Sequence, residues 1–174
     1  MTLSAPERLD TAHDLGPFSC GKPALDHWLR GRALANQTRG FTVVMVVHEA
    51  GRVVGYYGLA PTAVVPTTLP RYIRTGQPPN PVPCLLLGQL ATDIAWAGRG
   101  IGTALLGHAL TRSLAGARLI GGRALVVHAI DADAVSFWQR RGFVPSKDDG
   151  FTLFRAMPDI AASLRAAGIA PDEV

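Results

Sequence analysis

Three glycines at alternate positions, Gly98, Gly100 and Gly102, lie in the stretch Ala97-Gly98-Arg99-Gly100-Ile101-Gly102. An apolar run, Cys84 to Asp93, precedes them and a helical pattern beginning at Thr103 follows. Glycine lets backbone N–H groups approach a ligand that a side chain would hold away. A helix N-terminus adds unsatisfied donors and the positive end of its dipole. Together they favour a phosphate or pyrophosphate held by backbone. Two nucleotide readings fail. There is no Walker lysine, and a dinucleotide fingerprint requires G-x-G-x-x-G with an acidic strand end about 20 residues on. Here the glycines are spaced by two, and an apolar strand begins at that distance.

The elements around this turn predict a mixed α/β domain with a central sheet. Residues 1–17 read as a polar segment that packs only in part. Ser19 to Arg39 reads as a helix, with Leu25, Trp28, Leu29 and Ala33 inward at helical spacing. Asp26 and Arg30, four apart, read as a surface pair. Phe41 to His48 is a β-branched strand. Glu49-Ala50-Gly51-Arg52 forms a tight turn, and Val53 to Ala60 returns as the second arm of a hairpin. Pro61 to Pro83 is a proline-rich connection with one short helix at Leu69 to Thr75. Cys84 to Asp93 and Arg123 to Ala129 are central strands. The helix after the glycine turn places Ala104, Leu105, Ala109, Leu110 and Leu114 on one side. Asp131 caps a helix running to Arg141, with Gly142 just past its end. Phe143–Pro145 and Phe151–Ala156 form a final hairpin. The chain reads as a single domain over residues 1–174, with 158–174 as a helical appendage opened by Pro158.

With 174 residues and 48% hydrophobic content, the chain can bury a core and is not disordered. The net charge is +4, and Lys22 and Lys147 are the only lysines. An Arg-rich surface suits phosphate or carboxylate partners, with a coding bias as the plain alternative. Cys20 and Cys84 are far apart and read as reduced thiols of a cytoplasmic protein without a signal peptide. No apolar run reaches the ~18 residues of a membrane span. The five histidines show no metal spacing, so no metal is expected.

Several blocks in order resemble the GNAT N-acetyltransferase superfamily, and within it the toxins of type II toxin–antitoxin systems. Ala97 to Gly102 is similar to the family's acetyl-CoA loop, Gln/Arg-x-x-Gly-x-Gly/Ala, with Ala97 in place of the Gln/Arg. Phe18-Ser19-Cys20-Gly21 with Leu25-Asp26 and Trp28-Leu29 resembles the opening signature. Gly55-Tyr56-Tyr57-Gly58-Leu59 resembles the G-Y-Y-x-L strand, and Leu87 to Asp93 the L-G-R-L-A-V-D strand. Val127-His128-Ala129 with Ala134, Phe137 and Gly142-Phe143 resembles the last block.

The resemblance implies a GNAT fold with splayed central strands and acetyl-CoA as cofactor. It implies transfer of acetyl to the amino group of aminoacyl-tRNA, blocking translation, by a homodimer held inactive by a ribbon-helix-helix antitoxin. The alternatives are acetylation of a small amine or a protein N-terminus, or a weakly active homologue that binds acetyl-CoA. The pantetheine arm and thioester would lie along Leu90, Ala91 and Thr92, with a backbone N–H near Thr92 facing the oxyanion. The pyrophosphate would sit on Gly98, Arg99, Gly100, Ile101, Gly102 and Thr103, with Arg99 compensating for Ala97. Asp131, Ala134 and Phe137 would flank the cofactor arm. The family's tyrosine, the usual acid for the departing thiolate, is replaced by Trp138. An indole N–H donates a hydrogen bond but is not a usable acid. Tyr56 and Tyr57 are substitute donors, of which at most one faces the site because strand neighbours point to opposite faces. Candidate tRNA-binding residues are Lys22, Arg30, Arg32, Arg39, Arg71, Arg74, Arg140 and Arg141. His128 reads as a structural strand residue near the site.

Overall fold

The computed structural model describes residues 2–169. The chain gathers into two compact units, Met1–Ala60 with Gly88–Ala109 and Pro61–Leu87 with Leu110–Val174.

The first unit holds β1 (Glu7–Arg8), α1 (Pro23–Trp28), a π-helical turn (Leu29–Ala33), α2 (Leu34–Thr38) and β2 (Val43–Glu49). β3 (Arg52–Val64), β4 (Val82–Thr92) and α3 (Ile101–Ile120) run through both units. The second unit adds β5 (Ala124–His128), α4 (Ala132–Gln139), β6 (Val144–Pro145), β7 (Thr152–Ala156) and α5 (Met157–Ala166). The strand order is β1-β2-β3-β4-β5-β7-β6. β4 and β5 are parallel, whereas β1–β2, β2–β3, β5–β7 and β7–β6 are antiparallel. The sheet is mixed, as expected, and β4 stands at its middle. The last β4–β5 rung is Leu87 to Val127, while β4 itself runs on to Thr92.

The first unit's core is Leu9, Phe18, Leu29, Ala33, Val44, Val46, Val53, Tyr56 and Ala91. Leu25 and Trp28 pack against it, so the helical stripe read from the sequence is the buried one. The early helix begins at Pro23 rather than Ser19, since proline fixes φ at the first helical position. Asp26 is not a surface residue: it is buried and accepts the Cys20 N–H at 2.9 Å. Arg30 donates to the Phe18 carbonyl at 2.7 Å. Both partners of the expected surface pair are thus spent on the turn before the helix. The hairpin turns at Ala50 (φ 48°) and Gly51 (φ 88°), the pair of left-handed residues a two-residue hairpin requires.

The second unit's core is Leu69, Ile73, Val82, Cys84, Ala124, Val126, Phe154 and Ala156. β3 extends to Val64, four residues beyond the expected end at Ala60, and shortens the connection. No helix forms at Leu69 to Thr75. A 3-10 turn occupies Pro66–Thr68, and Pro70 accepts from Ile73 and Arg74 in a single further turn. Arg123 then pins this segment, donating to the Ile73 carbonyl at 2.7 Å and to Thr75 Oγ1 at 2.9 Å. The terminal helix is no appendage. Met157, Ile160, Ala161 and Leu164 of α5 are buried at helical spacing. The rest of the expected 158–174 segment, residues 170–174, lies outside the described residues.

The N-terminal segment is clasped by side chains that sequence spacing did not bring together. Glu7 Oε1 lies 2.8 Å from His13 Nε2 and 2.7 Å from His48 Nε2. Each Nδ1 accepts a backbone N–H at 3.0 Å, from Asp10 and Gly51 respectively. An acceptor Nδ1 leaves the proton of a neutral imidazole on Nε2. Both rings therefore donate to Glu7, which sets them as a hydrogen-bonded clasp rather than as metal ligands. These two donors lower the Glu7 carboxyl below its ordinary value near 4.5. A carboxylate lowered on folding adds stability above its unfolded pKa and loses it as pH falls through the folded one. The wild type should therefore be more stable than Glu7→Gln near neutrality, with the gap closing as pH falls below about 4.5. Thermal unfolding against pH measures this, and parallel acid limbs would refute it.

Candidate functional site

The end of β4 and the start of α3 meet across a short, open turn. Asp93 caps a 3-10 turn at Ile94–Trp96 by accepting the Ala95 N–H at 2.8 Å. Gly98 and Gly100 follow with φ of 76° and 79°, and nothing lies within 4 Å of the position a Cβ would take at either. L side chains seldom adopt this backbone, so glycine is required by geometry as well as by space. α3 begins at Ile101, two residues earlier than expected, because the Ala104 N–H reaches the Gly100 carbonyl at 3.0 Å. That bond leaves the amides of Ile101, Gly102 and Thr103 unclaimed by the helix. The first turn of α3 carries no acidic residue to repel an anion. This cradle fits a pyrophosphate.

Side chains around the cradle fix it from below. Ile101 and Leu105 are buried, whereas Ala104, expected inward, is exposed. A Cβ at Gly55 of β3 would come within 2.8 Å of Leu105 Cδ1 and 3.0 Å of Ile101 Cγ2. The absence of a side chain at Gly55 is what lets the first turn of α3 sit so close to the strand. Gly102 lies over Thr92, with 3.5 Å from a built Cβ to Thr92 Oγ1. Along the end of β4, Ala91 is buried in the core while Leu90 and Thr92 are half-buried. The Ala91 side chain is therefore taken, and it can serve a ligand only through its backbone. Ala97 is exposed, and the Arg99 guanidinium lies 4.5 Å from the centre of the Trp96 ring. Arg99 is thus anchored by a cation–π contact on the turn itself.

The second unit holds the other candidates. Asp131 Oδ1 accepts the Ala134 N–H at 2.8 Å, so this carboxylate caps α4. Ala134 and Phe137 are half-buried. Trp138 is 7% exposed and packs edge-on against Phe137 (5.0 Å) and Phe143 (5.1 Å). Among the described residues, none bonds its indole N–H, and that nitrogen is not sealed from solvent. The ring is a packing aromatic that keeps one free donor. Gly142 (φ 88°) turns the chain just past α4, as expected. His128 is exposed at the end of β5, with Nδ1 3.2 Å from Thr152 Oγ1.

The substitute tyrosines are both committed. Tyr56 is fully buried, stacks on Trp28 and donates to the Leu25 carbonyl at 2.7 Å. Burial, with Cys20 and Asp26 nearby, pushes its phenol up, away from any acid role near neutrality. Tyr57, also fully buried, pairs with His108 Nδ1 at 2.7 Å.

Of the basic candidates, the structure brings together Arg30, Arg32 and Arg39. With Gly31, Leu34, Ala35 and Thr38 they line an open concavity of about 470 Å³. The π-helical turn at Leu29–Ala33, which no sequence signal announced, sets Arg30 and Arg32 at its rim. Lys22 and Arg74 are half-buried; Arg71 and Arg140 are exposed. Arg141 is spent on α4: it donates to the Phe137 carbonyl at 2.9 Å and lies 3.5 Å over the Phe137 ring.

The chain matches one family profile and is similar to several known proteins. The profile described as an acetyltransferase (GNAT) domain matches residues 40–145. A tRNA-acetylating toxin of Mycobacterium tuberculosis is 42% identical over 159 residues, covering 91% of this chain and 95% of its own. The structure of AtaT complexed with acetyl-methionyl-tRNAfMet is similar at a TM-score of 0.84 and 25% identity, covering 94% and 99% of the two chains. A mutant AtaT toxin bound to the C-terminus of the antitoxin AtaR and acetyl-CoA is similar at 0.79 and 25% identity, over 95% and 99%.

Gly55→Ala tests the support beneath the cradle. Both atoms met are buried, so overpacking should destabilise the fold by about 1–3 kcal/mol. A lowered melting temperature is the expected result, and an unchanged one would show that the contact is not tight.

Proposed function

The chain belongs to the GNAT acetyltransferase family, and on that premise we propose that it moves acetyl from acetyl-CoA to the amino group of an aminoacyl-tRNA, blocking translation. The 42% identity to a tRNA-acetylating toxin across nearly the whole chain carries this reading. The AtaT likenesses, bound to an acetylated tRNA and to antitoxin with acetyl-CoA, support it. A dimer, restrained by a ribbon-helix-helix antitoxin and working in the cytoplasm as a single domain, completes the proposal. No described helix is long and apolar enough to cross a membrane.

The cradle fits acetyl-CoA by its open space and its unclaimed amides. Acetyl-CoA supplies an activated thioester. The amides of Ile101, Gly102 and Thr103 hold its pyrophosphate, with the Arg99 guanidinium alongside. The backbone of Leu90, Ala91 and Thr92 would align the pantetheine arm, with a backbone N–H near Thr92 as the donor for the thioester oxygen. Asp131 orders the first turn of α4, which carries Ala134 and Phe137. The attacking amine must be neutral, and holding the two reactants together supplies much of the rate. Arg30, Arg32 and Arg39 neutralise phosphates of the acceptor RNA. Trp138 would offer its free indole N–H to the leaving sulfur and could deliver no proton. A thiol with a pKa of roughly 8.5 is a tolerable leaving group that water can protonate.

Incubation with acetyl-CoA and charged tRNA should yield N-acetylated aminoacyl-tRNA. Product from amine or peptide panels but from no charged tRNA would replace this reading with a small-amine or N-terminal acetyltransferase. Reversing the charge of Arg32 and Arg39 together should weaken tRNA binding and make its salt slope shallower by about two phosphate contacts, with acetyl-CoA binding unchanged. An unchanged slope would place the RNA elsewhere.

Trp138→Tyr restores an acid at the leaving group. It should raise kcat by on the order of 10² if that acid limits the rate. A kcat no higher than wild type would overturn the idea that a missing acid limits the rate, and would favour another proton route or a different role for Trp138.

A further inference from the structure

A single buried carboxylate, Asp93, joins the acetyl-CoA turn to the segment that leads into the arginine-bearing helices. Its side chain is 3% exposed. Oδ1 accepts the Ala95 N–H at 2.8 Å and so caps the 3-10 turn that opens the glycine loop. Oδ2 accepts the Ser19 N–H at 3.2 Å. The link is doubled by the neighbouring backbone, where the Ile94 N–H reaches the Ser19 carbonyl at 2.9 Å. The Asp93 N–H itself donates to the Val54 carbonyl of β3 at 2.9 Å, and Arg52 Nη2 stands 3.8 Å from Oδ2.

The Ser19 side of the junction continues toward the arginines. Cys20, the next residue, donates its N–H to the buried Asp26 of α1. Phe18, the preceding one, gives its carbonyl to Arg30. The turn at 18–20 is thus held between two buried aspartates, one on α1, just before the arginine-bearing π-helical turn, and one at the end of β4. A buried carboxylate is costly unless its oxygens are bonded. Here the two oxygens are shared out, one to each side.

We propose that Asp93 is a positioning residue with two separable arms. Oδ1 shapes the acetyl-CoA turn, and Oδ2 holds the 18–20 turn and, through it, Arg30. This rests on the reading of the arginine concavity as the RNA-binding face.

The arms can be cut one at a time. Serine caps helical turns about as well as aspartate but is too short to reach Ser19. Asparagine keeps a capping oxygen and turns an NH₂ group toward the Ser19 N–H. In Asp93→Ser and Asp93→Asn, acetyl-CoA affinity should stay within about twofold of wild type. Affinity for total bacterial tRNA should fall about tenfold, the effect of losing one hydrogen bond to a charged acceptor that holds the 18–20 turn. Asp93→Ala, which removes both oxygens, should weaken both. Equal loss of both ligands in Asp93→Ser, or loss of neither, overturns the proposal.

Amide hydrogen exchange separates this failure from failure of the functional reading. Faster exchange at Ser19 with Ala95 still protected in Asp93→Asn supports the two arms even if wild-type protein binds no tRNA. In that case the RNA reading fails and the junction stands. Unchanged exchange at Ser19 overturns the junction itself.

Discussion

The structure depends on keeping a few backbone amides without partners while holding them still. Buried amides are almost always bonded, and those that are not must face a ligand or water. The amides of Ile101, Gly102 and Thr103 meet this condition because a strand ends and a helix begins within a short turn. Every nearby specialisation serves that turn. Gly98 and Gly100 take the left-handed backbone that reverses the chain. Ile101 and Leu105 sink into the core to anchor the helix, and Gly55 vacates the space they need. Trp96, buried beneath Arg99, gives the turn a floor and its one guanidinium a seat.

The sequence was most legible where one local rule governs one element. The alternating glycines after an apolar strand announced the left-handed turn and the helix start that follows it. The stripe of Leu25, Trp28, Leu29 and Ala33 announced the buried face of the first helix. Asp131 and Gly142 marked the ends of α4. It was least legible where a side chain is used by a distant part of the chain. Asp26 and Arg30 satisfy the helical rule for a surface pair, yet each is spent on backbone groups of the 18–20 turn. His13 and His48 are 35 positions apart, and only the register of β1 on β2 carries Glu7 to them. The proline-rich connection misled for a different reason. Pro66 and Pro70 start turns that nothing downstream propagates, so a helical composition gives two single turns. The terminal helix misled because its buried face has too few large residues to stand out from an alanine-rich background.

The same distinction sorts the candidate site residues. Those that would act through backbone, at the end of β4 and in the glycine turn, need no side chain, and the amides at the start of α3 are unclaimed by the helix. Those that would act through side chains divide. Asp131 and Arg141 are consumed by α4, one as its cap and the other on Phe137. Tyr56 and Tyr57 are consumed by the core and by His108. Arg32 and Arg39 remain on an open surface. Charge alone did not separate these groups, because an arginine on a carbonyl and an arginine facing solvent look alike in sequence.

Trp138 follows from this sorting. A tyrosine in the same place would have to leave its hydroxyl both unbonded and close to its ordinary pKa to act as an acid. The two tyrosines of β3, in the first unit, show how burial takes that freedom away: each is fully buried and each hydroxyl has found a partner. An indole between Phe137 and Phe143 fills the packing role of an aromatic and keeps an uncommitted N–H. It can donate a hydrogen bond but cannot supply a proton. On the proposed function, a thiolate leaving group would tolerate that exchange. On the same reading the burden of catalysis falls on placement: the cradle would hold one reactant and the arginine face the other, so how firmly the 18–20 turn and the end of β4 are joined would set the geometry between them.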